Sequence, residues 1–307
     1  MTECVLVTGG AGFIGSHIVD LFISKGYEVI VVDNLSTGNI KNLNQKAKFY
    51  QLDIRDKNLE DVFKNHKVDF ICHQAAQVNV RIAINDPMLD SDINIRGFIN
   101  VLEIARKYNV KKVTFASSVA VYGDTENLPI NENEITNPIS PYGISKLTGE
   151  YFLNYYKQIF NLSFTAFRYA NVYGPRQSSI GEGGVVAIFA DKMMSGDTPI
   201  INGDGNQTRD FVFAGDIATA NLLAIESKIE GIFNVSTKLE TTINSLFDQL
   251  ALLTGYKGEK IYGPKTAGDI YKSCLDNSKL VKTFNFTPQM NLTEGLIKVI
   301  NALKKEH

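Results

Sequence analysis

Val5 to His17 reads VLVTGGAGFIGSH: an apolar run passes straight into Gly9, Gly10, Gly12 and Gly15, and then into a helical pattern. Four glycines within seven positions, between a strand and a helix, leave a turn with almost no side chains. Glycine at such a turn permits backbone angles closed to other residues and lets main chain approach another body closely. The free N–H groups at a helix start, with the positive end of its dipole, suit an anion such as a phosphate. The spacing Gly9-x-x-Gly12-x-x-Gly15 therefore points to a dinucleotide. Asp33, which closes the next apolar run roughly 20 residues on, stands where a carboxylate binds the adenosine ribose 2′-hydroxyl. A carboxylate there repels a 2′-phosphate, so NAD is expected rather than NADP.

Around this loop, short β-rich runs alternate with longer helical patterns. The runs are Cys4–Thr8, Glu28–Asp33, Lys48–Asp53, Asp69–His73, Lys112–Ser117 and Ser163–Tyr169, with helices expected over Phe13–Lys25, Asp92–Tyr108 and Tyr142–Phe160. Such alternation predicts an α/β fold, a Rossmann-type doubly wound parallel sheet whose ligands sit at the carboxyl ends of its strands. Past Asn171 the regularity is lost. NVYGPRQSSIGEGG reads as a long loop, and beyond it helices are expected near Val185–Ser195, Ile243–Thr254 and Leu292–Lys305. Residues 1–171 are read as the nucleotide domain and 172–307 as a smaller mixed α/β lobe, with some later segments returning to the main sheet.

At 307 residues, 44% hydrophobic and 21% charged, the chain has the composition of a globular protein. A net charge of -2 without any Lys/Arg block argues against nucleic acid as a partner. No apolar run approaches the length of a membrane span and no signal peptide precedes the first strand, so a cytoplasmic protein is expected. Cys4, Cys72 and Cys274 form no CxxC pair, and the four histidines lack ligand spacing, so no metal site is expected.

SPYGISK places Tyr142 and Lys146 at i and i+4 on one helix face, and FASSVAVYG ends a strand on Ser117 and Ser118. An ammonium beside a phenol stabilises the phenolate, which makes Tyr142 a candidate proton acceptor. A hydroxyl at Ser118 can bond the reacting oxygen.

With these residues the chain resembles the extended short-chain dehydrogenases/reductases. RYANVYGPRQ and GDGNQTRDFVFAGDI narrow the resemblance to their nucleotide-sugar branch, most closely UDP-glucose 4-epimerases. The similarity runs through essentially the whole chain. It implies that Gly9, Gly12, Phe13, Ile14, Gly15, Asp33, Asn34, Ser36, Thr37 and Gly38 hold NAD. It further implies that Asp53 and Ile54 touch the adenine, that Ala75, Ala76, Gln77 and Asn94 line the cofactor, and that Lys146 and Tyr169 flank the nicotinamide end. Asn171 and Arg209 match positions that bind a UDP pyrophosphate, and Val185 and Phe211 match nucleotide or sugar pocket positions. The implied reaction is C4 epimerisation of a UDP-hexose. Tyr142 takes the C4 hydroxyl proton, NAD takes and returns the hydride, and the 4-keto sugar turns over between.

Two positions depart from the pattern. Thr266 replaces a common phosphate-binding arginine, with Lys265 adjacent, and Asn202 replaces an aromatic before GDG. Sugar dehydratases and UDP-glucuronate decarboxylases carry acidic residues just after the catalytic Ser/Thr, where this chain has Val119 and Ala120. A UDP-uronate 4-epimerase passes that filter. A non-catalytic NAD sensor on the same fold would not need the Ser–Tyr–Lys set. Four positions after Asp269 stands Ser273, in the family a size gate beside the sugar C2 substituent. A serine there predicts that N-acetylated sugars are accepted as well. The helices Asp92–Tyr108 and Tyr142–Phe160 could pair across a two-fold axis, so a homodimer is expected.

Overall fold

A computed structural model of the chain describes residues 2–179, 184–265 and 270–306. Seven parallel strands form the central sheet: β1 Cys4–Thr8, β2 Glu28–Asp33, β3 Lys48–Gln51, β4 Phe70–His73, β5 Lys112–Ser118, β6 Ser163–Tyr169 and β7 Gly231–Val235. Their spatial order is β7-β6-β5-β4-β1-β2-β3. The chain builds outward from β1 to β3, then crosses to β4 on the other side of β1. The order reverses between β1 and β4, and a ligand crevice opens at such a point.

Both sheet faces are covered, which explains why the strands read as continuous apolar runs. Val5, Val7, Val29 and Val31 turn toward helices α1 (Phe13–Ser24) and α4 (Ala214–Glu226), where they meet Ile18, Phe22 and Leu222. Leu6, Ile30, Val32, Val113 and Phe115 turn the other way, onto α2 (Phe98–Lys107) and α3 (Pro141–Phe160) with Phe98, Leu102 and Leu153. The period-2 alternation of each strand thus divides its residues between two cores.

The segment GIFNVST returns to the sheet as β7, with Phe233 opposite Phe167 of β6. The remaining C-terminal elements surround a third apolar cluster that includes Phe189, Phe211, Phe247 and Val299. Three short strand pairs shape this region: Asn171–Tyr173 with Phe211–Phe213, Thr208–Arg209 with Thr241–Thr242, and Ile200–Asn202 with Ile261–Gly263.

Three expected boundaries move for visible reasons. The third strand stops at Gln51 because Asp53 turns the chain, its carboxylate accepting from the Arg55 backbone N–H at 2.9 Å. The helix expected over Asp92–Tyr108 opens as a π-helical turn, Asp92–Gly97, before continuing as α2. α3 begins at Pro141, with the Ser140 hydroxyl capping Gly143 N–H at 3.1 Å.

His73, at the end of β4, is buried and stacks on Phe98 with ring centroids 4.5 Å apart. Its Nδ1 lies 2.9 Å from Thr8 Oγ1, and burial pulls its pKa from 6.5 down to about 3. The unfolded chain binds a proton below pH 6.5 that the folded chain refuses, so this contribution is complete above pH 6.5 and is lost as pH falls toward 3. Between pH 7 and 5, chemical denaturation should show the wild type losing about 2 kcal/mol more than His73→Asn. Equal losses in the two proteins would contradict a buried neutral imidazole.

Candidate active site

The carboxyl ends of β1, β2, β4, β5 and β6 bring five sequence-distant segments to one edge of the sheet. At the end of β1, Gly9 adopts φ +69°, and a Cβ on it would lie 2.7 Å from Ala75 N. A Cβ on Gly15 would fall 2.1 Å from Gly9 O, so the helix start is pressed against the turn before it. Gly12 caps α1 without a side chain, and no acidic residue occupies the first turn. The first N–H groups of a twelve-residue helix are therefore offered to a ligand. This bare cradle fits a dinucleotide diphosphate.

Asp33, buried, accepts from Ala11 N–H at 3.0 Å and Leu35 N–H at 2.8 Å. It ties the glycine loop to the Asn34–Gly38 turn, and a Cβ on Gly38 would come within 2.8 Å of its Oδ1. A carboxylate offers about four lone-pair sites, so two stay open for ribose hydroxyls. Asn34 donates to Asp53 Oδ2 at 2.8 Å, and Ser36 N–H donates to Asn34 Oδ1 at 3.0 Å, so the Asn34–Gly38 turn and the Asp53–Ile54 segment are joined. Asp53 also accepts from Nε and Nη2 of Arg55, which holds its carboxyl well below the usual range, while Arg55 Nη1 donates to Asp92. Ile54 is buried against Gly97 of the π-helical turn.

Past β4, Ala75 N–H donates to Thr8 Oγ1 at 3.3 Å, and Gln77 N–H to the Asn94 side-chain oxygen at 2.8 Å. Asn94 is thus a brace behind the Ala75–Ala76–Gln77 segment. Tyr169, at the end of β6, is buried, and its hydroxyl accepts from Asn221 Nδ2 at 2.8 Å.

Lys146 is 3% exposed. Its Nζ sits 5.1 Å from the centroid of the Phe115 ring and 5.7 Å from that of Tyr142. Burial pulls this ammonium down to about 8. Burial also pushes the Tyr142 phenol up to about 12, with the Ser118 hydroxyl opposing the rise. The spacing alone predicts a lowered phenol. The structure instead gives a raised one, because desolvation outweighs an ammonium lying over the ring rather than at the oxygen. α3 is anchored below this pair by Glu150, which takes two arms of Arg168 from β6 at 2.9 and 2.7 Å, and the Ser117 hydroxyl from β5.

The candidate substrate residues gather farther along. Arg209 Nη1 donates to Thr208 O at 2.7 Å, and Thr208 N–H donates to Tyr271 O at 2.9 Å, which lays the Arg209 and Ser273 segments side by side. Between them Asp210, fully buried, collects the N–H groups of Thr237, Lys238 and Leu275, while its own carbonyl accepts from Asn171 N–H. Ser273 is buried, and its Oγ has no hydrogen-bond partner among the described residues. Phe211 lies inside the third apolar cluster, edge-on to Tyr173 at 6.2 Å, and Val185 packs on the same cluster from the start of a helix. Asn202 is exposed, and Lys265 Nζ stands 5.8 Å from the Tyr271 ring centroid. Asp269 and Thr266 lie outside the described residues. Among the described residues no three His, Cys, Asp or Glu side chains gather as metal ligands. Sequence spacing gives no signal for Asp90, Glu150 or Arg168, whose partners come from other elements.

Comparison with known proteins accords with this geometry. The profile of the NAD dependent epimerase/dehydratase family matches residues 5–236. The crystal structure of the Thermotoga maritima UDP-glucose 4-epimerase with UDP-glucose superposes with a TM-score of 0.97 at 45% identity, covering 99% of each chain. The Thermus thermophilus UDP-glucose 4-epimerase in complex with NAD gives 0.94 at 39% identity, over 98% of this chain and 99% of that one. A UDP-N-acetylglucosamine 4-epimerase from Methanobrevibacter ruminantium M1, in complex with UDP-N-acetylmuramic acid, gives 0.95 at 35% identity over 100% of both. A profile spanning most of the chain, on a sheet whose glycine cradle fits a dinucleotide, shows that this protein belongs to the NAD dependent epimerase/dehydratase family.

Proposed function

We propose that this chain interconverts the C4 epimers of UDP-hexoses, UDP-glucose and UDP-galactose among them, with NAD as a resident cofactor. The observation that carries this reading is the set of Tyr142, Lys146 and Ser118 standing at the strand ends beside the bare glycine cradle. Full-length likeness to an enzyme solved with UDP-glucose supports the choice of sugar nucleotide. The glycine loop, Asp33 and the Ala75–Gln77 segment would hold the cofactor. Bound there, NAD supplies a hydride acceptor and donor, and in its oxidised form a positively charged ring.

The chain's own residues manage protons and position. Tyr142 accepts the proton of the sugar C4 hydroxyl and gives it back once the opposite face is presented. Ser118 holds the same oxygen by a hydrogen bond. Lys146 favours the phenolate by charge, and since burial keeps the phenol at about 12, its proton leaves only into a site rich in positive charge. Asn171 and Arg209 anchor the diphosphate, so that the sugar alone turns. The reaction is redox-neutral and consumes no second substrate.

Further features support a dimer in the cytoplasm, serving galactose metabolism. Ile144, Tyr151, Tyr155 and Ile159 are exposed along one stripe of α3, a surface suited to a second copy. The three cysteines are buried and unpaired, which suits a reducing compartment.

Tyr142→Phe should lower kcat on UDP-galactose by about 10²–10⁴-fold while the protein keeps its NAD and binds the sugar nucleotide. Turnover close to wild type would mean that another group moves the proton. The small, unpaired Ser273 hydroxyl supports acceptance of a C2 acetamide. Wild type should interconvert UDP-GlcNAc and UDP-GalNAc, and Ser273→Tyr should lose that activity while sparing the plain hexoses. Wild-type protein inert on UDP-GalNAc but active on UDP-galactose would place the gate elsewhere.

A further inference from the structure

Behind the Tyr142–Lys146 pair lies a carboxylate for which neither the glycine loop nor the helix motif accounts. Asp90 belongs to the short helix Pro87–Ser91 and is 0% exposed. Its Oδ1 accepts from Asn94 Nδ2 at 2.9 Å and Gln77 Nε2 at 3.2 Å, and Oδ2 is buried with no partner at ordinary hydrogen-bond distance among the described residues. Burial raises the carboxyl above its usual range, while Ser145, Gln77 and the Lys146 charge oppose the rise. Asn94 sits on the π-helical turn, and such turns frequently re-aim a side chain at a functional site. Its amide also donates to Gln77 O at 2.9 Å and Ser145 Oγ at 3.2 Å. The Ser145 hydroxyl in turn donates to the Tyr142 carbonyl at 2.9 Å. A chain of contacts thus runs from Asp90 through Asn94 and Ser145 to the first turn of α3.

Lys146 lies on the other side of this chain, and its Nζ has no hydrogen-bonded partner among the described residues. The groups around it can be taken element by element. β4 presents His73, held neutral, and β5 presents the Phe115 ring. α3 itself presents Tyr142 and Ser145. Glu150, one turn on, is taken by Arg168, and Asp92 by Arg55 and Arg96. That leaves Asp90 as the anion acting on Lys146, and its charge acts on Tyr142 as well.

We propose that Asp90 is a positioning residue whose buried negative charge, held in place through Asn94 and Ser145, keeps Lys146 an ammonium and holds the proton on Tyr142. The inference rests on the reading of Tyr142 and Lys146 as the acid–base pair. Burial favours a neutral lysine, and a nearby carboxylate opposes that in a medium where charges are weakly screened. The same carboxylate resists a phenolate beside it. Asp90 therefore trades a more basic phenol for a lysine that stays charged to higher pH.

The test is Asp90→Asn, which keeps the shape and an oxygen to accept from Asn94 and Gln77 but removes the charge. With UDP-galactose as substrate, both limbs of its kcat/KM profile should move to lower pH by about one unit. Bound NAD should stay at the wild-type level. Ser145→Ala breaks the contact chain and keeps the charge, so its limbs should stay at wild-type pH whatever its rate. Unmoved limbs in Asp90→Asn, or the same displacement in Ser145→Ala, would overturn the proposal.

A second readout needs no activity. Between about pH 8 and 10.5 the unfolded chain holds the Lys146 proton that the folded chain has released, so the contribution of Lys146 to stability rises with pH across that window. Lys112 and the three buried cysteines titrate alike in both proteins, so the thermal midpoint of Asp90→Asn relative to wild type should rise with pH just below pH 8, and a difference that stays flat there would overturn the proposal. Wild-type protein inert at every pH would sink the epimerase reading alone, because the stability arm still decides the role of Asp90.

Discussion

A missing Cβ governs the architecture of this site. Gly15 approaches the Gly9 carbonyl so closely that a side chain on it would stand 2.1 Å away, and a side chain on Gly9 would stand 2.7 Å from the main chain after β4. That closeness lets α1 start directly at the end of β1, with its first N–H groups turned outward at the reversal point of the sheet. Asp33 completes the arrangement from the next strand by clamping Ala11 and Leu35. What faces the crevice is therefore backbone held by packing, a surface that suits a diphosphate without an arginine or lysine. Any residue larger than glycine at position 15 would push α1 away and take with it the core that Ile18 and Phe22 build against the sheet.

Electrostatics divides the rest of the site into two kinds of buried charge. Glu150 takes Nε and Nη2 of Arg168 and fixes α3 on β5 and β6, while Arg168 Nη1 stays buried with no hydrogen-bond partner among the described residues. Removal of one member of such a pair costs about 3–5 kcal/mol, since the other is left stranded. Asp90 is held differently, with its Oδ2 buried and without a hydrogen-bond partner among the described residues. A polar group that is buried and unsatisfied costs stability, and its persistence suits a site that must change charge during work. The Glu150–Arg168 pair positions the helix.

Features encoded within a dozen residues were legible in the sequence. The glycine loop, the strand-ending Asp33 and the i, i+4 placement of Tyr142 and Lys146 are local, and the alternation of strands and helices follows from their periodicity. Features that depend on distant elements were not. The π-helical turn at Asp92–Gly97 looks in sequence like the start of one continuous helix, and its reason is the seating of Asn94 against Gln77 and Asp90. The sign of the Tyr142 shift follows from how β4, β5 and α3 enclose the phenol together, which residue spacing does not encode.

The central claim is that one chain, with its cofactor retained, inverts a sugar carbon without net oxidation. It is tested most directly by incubating the purified protein with UDP-glucose and no added NAD, following the C4 configuration by chromatography and the absorbance of reduced cofactor together. The account predicts that UDP-galactose accumulates to a steady ratio while no reduced cofactor builds up in solution. Unchanged UDP-glucose over protein that carries NAD, or an oxidised sugar formed in step with released NADH, would contradict it.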